Sequence, residues 1–241
     1  MKILLLQCIY NEINMLPWKY AWAKRNGLDI FTFDNFSTDG STEWLKKNSP
    51  GKFEMLDTDG KFSLRLNNEA CLRKFHEVKP DWCIIAGCDM FYQAIGFRTI
   101  AHFISYLSKM SFNIVECNRL YNYYFTGEEN DQNCPQVEYR YYREENQWPI
   151  RLIARYHPSL KIDGDVFHQE NEKILKYPNL ICHHYWFRSD AESRFKEKLK
   201  RRAQSWHDGT DILCHGKHYN EIVKKNIWVF PKENLKKRDD L

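Results

Sequence analysis

Apolar residues in the first half of the chain alternate between two patterns. Short continuous apolar runs have the length of buried strands, and the segments between them place apolar residues on one face of a helix. Strands are predicted at 3–10, 29–34, 53–57 and 82–86, and helices at about 15–27, 42–48 and 63–78. Strands that alternate with helices in this way predict a mostly parallel sheet with helices on both faces.

The ends of the first and last helices are marked by particular residues. Asn14 is predicted to cap the first helix, Pro17 fits in its first turn, and Gly27 ends it. Ser189, with Glu192 three residues later, has the spacing of a capping box and predicts a long helix that reaches residue 206.

The second half of the chain has a less regular pattern. A helix is predicted at 97–110, strands at 112–117, 151–156 and 180–185, and irregular strands with a loop in the tyrosine-rich stretch 121–148. We expect one α/β domain over 1–230, with a nucleotide-binding half (1–95) and an acceptor-side half (96–230) that includes a small antiparallel part. Residues 231–241 are predicted to form a flexible tail.

Composition narrows the class of protein. The chain has 241 residues, 43% of them apolar, and a net charge of +4, which is too small to indicate a nucleic-acid partner. The eight cysteines form no CxxC pair and several lie in apolar runs, which favours reduced, buried thiols over disulfides or a zinc site. With neither a signal peptide nor a membrane-length apolar run, we expect a cytoplasmic protein.

Three short polar segments follow predicted strands at their carboxyl ends: 10–12, 34–40 and 87–89. Ligands of parallel α/β sheets bind at that edge, so we expect the segments to converge. A carboxylate such as Asp34 could accept hydrogen bonds from a nucleobase or ribose, although a capped turn without a ligand has the same sequence. Asp89 could bind a diphosphate through a divalent cation, or it could simply cap a turn.

The whole pattern resembles family 2-type glycosyltransferases of the GT-A fold, in the branch where Asn-Glu is followed by Leu-Pro-Trp. The resemblance spans roughly residues 3–200. It is carried by Asn11-Glu12, Leu16-Pro17-Trp18, Gly27-Leu28-Asp29, Asp34-Asn35, the 37–42 turn, Arg65 with Asn68, 82–91, and His184-Tyr185-Trp186 with Ser189. It implies a GT-A-like α/β fold and a nucleoside diphosphate-sugar as donor substrate.

The resemblance also implies roles for individual residues. The nucleotide-binding group comprises Tyr10, Asn11 and Glu12 beside the base, Asp34 and Asp39 at the nucleoside, Arg65 closing over it, and Cys88 within the motif. Asp89 and His184 correspond to ligands of Mn²⁺ or Mg²⁺. His183 is the alternative ligand, because neighbouring strand residues point to opposite faces.

One position departs from the family pattern. Gly87 stands where the usual Asp-x-Asp motif has its first carboxylate, and Met90 follows the second. Metal binding is therefore expected to be weaker, and metal-independent action is an alternative. The base that deprotonates the acceptor is expected among Asp163, Asp165 and Glu170, with Asp165 favoured; an acidic surface turn is the other interpretation.

The function that follows is an inverting transfer of sugar from a nucleoside diphosphate-sugar to a hydroxyl of a glycan or glycolipid. The alternatives are a non-catalytic domain that binds nucleotide-sugar or glycan, and a nucleotidyltransferase. The basic helix 190–206 could contact anionic lipid at the inner face of a membrane, or it could present a solvated surface.

Overall fold

A computed structural model describes residues 1–58, 61–117, 119–130, 133–145, 150–164, 166–205, 225–226 and 228–238. Its architecture is mixed α/β, with a large sheet flanked by helices and a smaller second sheet.

The first half of the chain forms four parallel strands in the order β3-β2-β1-β4. The strands are β1 (Ile3–Ile9), β2 (Asp29–Asp34), β3 (Phe53–Met55) and β4 (Trp82–Ile85), and the helices are α1 (Leu16–Arg25), α2 (Ser41–Asn48) and α3 (Leu64–Val78). The predicted strand and helix order is therefore confirmed for this region. Apolar side chains pack on both faces of the sheet, including Trp22 and Phe91 on one and Phe33 and Phe75 on the other.

The two ends of α1 differ in how well the sequence predicted them. Met15, not Asn14, is the N-cap of α1 and makes no side-chain capping bond, so the predicted Asn14 cap is wrong. Gly27 ends the helix as predicted, with a φ of 70° that favours glycine. A Cβ at this position would also lie 3.0 Å from the Cβ of Ala101.

Later strands extend the large sheet beyond β4. Strand β9 pairs antiparallel with β4 and β6, and β11 pairs parallel with β9. These strands are β6 (Ile114–Cys117), β9 (Ile150–Arg155), β10 (Lys161–Asp163), β11 (Val166–His168) and β12 (Ile174–Lys176). Because β9 reverses direction, the β10–β11 turn lies at the same edge as the carboxyl ends of β1, β2 and β4.

A second sheet has the strand order β14-β8-β7-β13-β5. Its strands are β5 (Met90–Ala94), β7 (Arg119–Tyr124), β8 (Tyr141–Glu145), β13 (Leu180–Phe187) and β14 (Lys236–Lys237). The tyrosine-rich stretch is thus more regular than predicted, because Tyr123 and Tyr139 are fully buried core residues. The remaining helices are α4 (Ile100–Leu107), the short α5 (Pro135–Glu138) and α6 (Ala191–Ser205).

The segment near the carboxyl terminus packs on this second sheet. A short 3-10 helix, Lys232–Asn234, precedes β14, which pairs with β8. Phe230 packs against Tyr124 and Phe187. Residues 230–238 are thus attached to the sheet, whereas the sequence predicted a flexible tail from 231. Residues 239–241 lie outside the described part, and the predicted domain limits stay a prediction.

The cysteines of the described residues are free thiols, as expected from their spacing. Burial raises the pKa of the Cys83, Cys88 and Cys182 thiols. Such thiols are poorly reactive and act as small apolar side chains. Cys214 lies outside the described residues.

Candidate functional site

The three polar segments singled out in the sequence lie at one edge of the large sheet. In the ladder, Ile9 is paired with Asp34, and Leu6 with Ile85, so β1, β2 and β4 end side by side. The residues that follow these strands therefore share an edge, as the parallel sheet predicts.

The carboxylate of Asp34 is fully buried and bonds within its own turn. Its Oδ1 accepts from Ser37 N (3.1 Å) and Ser37 Oγ (2.6 Å), and its Oδ2 accepts from Thr42 Oγ1 (2.5 Å). The side chain holds the turn between β2 and α2 in shape. The predicted direct contact of Asp34 with a nucleoside does not fit this burial.

Asp39 and Asn11 join that turn to the loop after β1. Asp39 accepts from Ser41 N (3.0 Å) and from Ile13 N (2.9 Å). Asn11 has a φ of 55° and accepts from Thr38 N at 2.8 Å. We call Asn11, Asp34, Ser37, Asp39 and Thr42 the turn cluster. Its side chains join the loop after β1 to the turn after β2, at the sheet edge where these two strands end.

A second group of charged side chains lies beside the turn cluster. Glu12 accepts from Arg188 Nη2 (2.8 Å) and from Arg194 Nη2 (3.2 Å). Arg194 Nη2 also lies 3.7 Å from Asp89 Oδ2, and Arg188 Nε lies 3.6 Å from Asp190 Oδ1. We call these five residues the carboxylate–arginine cluster. Three carboxylates against two guanidinium groups leave one net negative charge.

Arg188 is the most buried cation of this cluster, with 2% of its surface exposed. Burial opposes its charge, but the carboxylates of Glu12, Asp190 and Asp89 outweigh burial and raise the pKa of Arg188. Its Nη1 has no hydrogen-bond partner among the described residues. A buried donor without a partner is costly, so this N–H is suited to an oxygen of a bound ligand or water.

Asp89, in the turn that precedes β5, lies close to His184 in β13. The distance from His184 Nε2 to Asp89 Oδ2 is 3.6 Å. His184 Nδ1 lies 2.9 Å from Asn122 Oδ1, a contact that fixes the ring with Nε2 toward Asp89. The pair is partly exposed, with 24% of the His184 side chain accessible.

His183 points to the opposite face of β13 and is not placed to join this pair. It is buried, with Nδ1 2.9 Å from Tyr123 Oη and Nε2 2.8 Å from Gln93 Oε1. Burial, with a smaller contribution from Arg238, lowers the pKa of His183 to about 3. Of the two adjacent histidines, His184 is thus the one that faces Asp89.

Gly87 leaves room for the Asp89 carboxylate. A Cβ built on Gly87 would lie 2.8 Å from Asp89 Oδ1, closer than real Cβ contacts. A side chain at position 87 would therefore press on Asp89 Oδ1 and force a shift of the carboxylate, whose Oδ2 lies beside His184.

Three other predicted site residues lie near this edge with partners of their own. Cys88 is buried between the hydrophobic core and the carboxylate–arginine cluster, so its thiol is not accessible. Arg65 lies in the first turn of α3, is exposed, and pairs with Glu69 one helical turn away at 2.6 Å. Tyr10 lies beneath α6, with the Arg201 guanidinium 3.6 Å from its ring centroid.

The three candidates for the base differ in where they lie. Asp163 is exposed at the end of β10, at the same sheet edge as Asp89. Asp165 lies outside the described residues. Glu170 follows β11 at the opposite edge, where its N–H donates to Ser159 Oγ at 2.9 Å, so the structure does not bring it to Asp89.

Sequence reasoning missed three residues at this edge. Arg194 was part of the predicted basic helix, Arg188 was not singled out, and Phe36 was part of a predicted turn. Phe36 is 51% exposed with a φ of 53°, unusual for a large side chain. The spacing of Arg194 and Arg201, seven residues apart on one helical face, was a usable signal, since both are buried against the edge.

Helix α6 therefore covers the edge with two of its arginines. Lys196 and Lys200 remain exposed on its other side.

Within the described residues, no helix has the length and apolar character to cross a membrane.

Comparison with known proteins gives little beyond the fold class. No family model matches the chain, and no curated protein matches it. Among solved structures, it is similar to a protein provisionally assigned as a glucose-1-phosphate thymidylyltransferase from Bacillus anthracis, crystallised with a sucrose. The identity is 10%, the TM-score is 0.35, and the match covers 64% of this chain and 68% of the other. A similarity this low carries no information on function.

Proposed function

We propose that the chain is an inverting glycosyltransferase that moves a sugar from a nucleoside diphosphate-sugar to a hydroxyl of a glycan or glycolipid. The observation that carries the proposal is the juxtaposition of Asp89 and His184, 3.6 Å apart although they come from distant parts of the chain. The family resemblance implies that these two residues serve one diphosphate site. The parallel β3-β2-β1-β4 order supports the same assignment, because ligands of such sheets bind at this edge.

Asp89 and His184 fit a divalent cation as a pair of ligands. No group of three or more His, Cys, Asp or Glu side chains suited to a metal occurs among the described residues. Mg²⁺ and Mn²⁺ are commonly held by one or two side chains together with phosphate oxygens and water, so a pair is sufficient. When bound, the ion would neutralise charge on the leaving diphosphate.

Asp89 supplies a carboxylate to such a cation, although Arg188, Arg194 and buried Lys19 offset the negative charge around it. The carboxylate–arginine cluster also offers its own positive groups to a diphosphate, since Arg188 Nη1 lacks a partner among the described residues. Guanidinium groups bind phosphate oxygens with charge-assisted hydrogen bonds. Arg188 and Arg194 would therefore stabilise the departing diphosphate, in addition to a metal or without one.

The remaining steps fall to residues at the same edge. Asp163 and Asp165 are our candidates for the base that accepts the proton of the acceptor hydroxyl as the new glycosidic bond forms. The exposed ring of Phe36 offers a surface on which a nucleobase or sugar can pack.

The test measures release of nucleoside diphosphate by the full chain from a panel of UDP-, GDP- and dTDP-sugars, with and without sugar acceptors. We expect turnover with at least one donor, and a loss of about 100-fold or more in Asp89→Asn. Asp29→Asn, an exposed carboxylate at the start of β2, is the matched control and should keep full activity. Donor binding without turnover would indicate a binding domain, and pyrophosphate release from nucleoside triphosphates would indicate a nucleotidyltransferase.

Gly87→Ala tests the role of the Asp89 carboxylate in a different way. The added methyl group displaces the end of one side chain, so the free energy of unfolding should change by at most ~1 kcal/mol. Activity should fall at least about tenfold, because the carboxylate is moved away from His184. Full activity in Gly87→Ala would argue against a metal or diphosphate role for this pair.

A further inference from the structure

A cavity of about 290 Å³ lies between the end of α1, strand β5 and the start of α4. His183 and Tyr185 line it, so it is on the opposite face of β13 from His184. It is therefore separate from the candidate transfer site. Small-molecule sites have volumes of about 300–1,000 Å³, so this cavity has room for a compound with one ring but not for a nucleotide-sugar.

The charged residues of the lining are all positive. Arg25, Arg98 and Arg238 line the cavity, and no Asp or Glu of the described residues does. Arg25 and Arg98 are exposed at the rim, and Arg25 donates to Gln136 Oε1 at 3.3 Å. Arg238 donates to Tyr123 Oη (3.1 Å) and Tyr185 Oη (3.3 Å).

The three guanidinium groups lack carboxylate partners in the described part of the chain. A surface arginine usually finds a carboxylate nearby, and three without one concentrate positive potential in a concave site. Planar guanidinium groups match the oxygens of phosphate and carboxylate groups. The charge of the lining thus favours an anion.

The floor of the cavity is apolar and aromatic. Trp22, Tyr92 and Tyr185 are buried rings that face the cavity. Only 0–3% of each of these residues is exposed, so they form an apolar boundary of the cavity. His183 adds no charge to the floor, because burial lowers its pKa to about 3, and its two ring nitrogens already bond to Tyr123 and Gln93.

We propose that this cavity binds a small organic anion: a single-ring compound that carries one phosphate or carboxylate group. The ring occupies the cavity against its apolar floor, and the anionic group meets Arg25 and Arg98 at the rim, with Arg238 beneath. The site is independent of the proposed glycosyl transfer.

The test is calorimetric titration of the full chain with glucose 6-phosphate and with glucuronate, using glucose as the neutral probe. We expect both anions to bind, and glucose to bind at least about tenfold more weakly. Arg25→Gln with Arg98→Gln should weaken anion binding by at least about tenfold. Both side chains are exposed, so this variant is expected to fold.

Lys24→Gln with Lys109→Gln is the matched control, since it removes the same charge from exposed positions that do not line the cavity. It should keep the affinity of the wild type, as should Asp89→Asn. Absence of binding by either anion at millimolar concentration would overturn the proposal. So would an equal loss of affinity in the lysine and arginine variants.

Discussion

The turn cluster and the carboxylate–arginine cluster lie at the same edge of the sheet, but their carboxylates have different partners. Asp34 accepts from backbone N–H and hydroxyl groups close by in the sequence, and Asp39 accepts from Ser41 N and from Ile13 N in the loop after β1. Glu12 and Asp89 face guanidinium and imidazole groups that arrive from β13 and α6. The first cluster shapes the chain locally, whereas the second joins its two halves.

This difference indicates that the turn cluster has a structural role and that the carboxylate–arginine cluster is better suited to bind a ligand. In the turn cluster, the oxygens of Asp34 are occupied by neutral donors inside a closed turn. In the carboxylate–arginine cluster, Arg188 keeps an N–H without a partner among the described residues, and the His184 side chain is 24% exposed. The carboxylate–arginine cluster therefore keeps polar groups that can bind a ligand, whereas the oxygens of Asp34 are already occupied.

Removal of Glu12 should have the largest effect on stability. Glu12→Ala removes the shortest carboxylate contacts of buried Arg188 and Arg194 and leaves longer ones to Asp89 and Asp190; removal of one partner of a buried ion pair costs about 3–5 kcal/mol. Urea denaturation measures this loss as a lower unfolding midpoint. The matched control is Glu192→Ala, which breaks the exposed pair with Lys196 and should cost at most ~0.5 kcal/mol. Equal stability of the two variants would contradict the structural role of Glu12.

Removal of Asp34 should have the next largest effect. Asp34→Ala leaves the buried donors of Ser37 and Thr42 without their acceptor, which costs about 2–4 kcal/mol in the free energy of unfolding. Nucleotide affinity, measured under conditions where the variant is folded, should stay within about threefold of the wild type. A variant that is fully stable but fails to bind nucleotide would restore the predicted contact of Asp34 with the nucleoside.

The sequence predicted the first half of the fold well because each element there is specified locally. Continuous apolar runs define β1, β2 and β4, and Gly27 ends α1 through its own backbone preference. The Asn14 cap was wrong, because the chain enters α1 through backbone bonds from Met15 and Leu16 to Glu12 O instead. Local pattern identifies elements more securely than it identifies the atoms that cap them.

The candidate site was only partly predictable. Asp89 and His184 could be paired from the family resemblance, but the partners of Glu12 could not, since Arg194 belongs to a helix that looks like a basic surface and Arg188 precedes it without a motif. The burial of Arg194 depends on how α6 packs over Tyr10, a long-range contact with no local signature. The aromatic stretch 121–148 was predicted less well for the same reason, because β7 pairs with the distant β13 and β8 pairs with β7.

The smallest predicted effect on stability concerns the two adjacent histidines and depends on pH. Buried His183 has a pKa of about 3 when folded and 6.5 as a free side chain, so between these values only the unfolded chain binds a proton there. Its contribution to stability is therefore complete above pH 6.5 and decreases as the pH falls toward 3. Linkage gives a loss of about 2 kcal/mol between pH 7 and pH 5.

His183→Gln should remove this part of the acid sensitivity, because glutamine does not titrate while it can still bond to Tyr123 and Gln93. The measurement is the free energy of unfolding of variant and wild type at pH 7 and pH 5, compared as differences so that other groups cancel. Tyr123→Phe removes the hydroxyl beside Nδ1 but leaves the imidazole buried, so it should keep the acid sensitivity of the wild type. If His183→Gln loses as much stability as the wild type on acidification, burial of the imidazole does not account for the acid sensitivity.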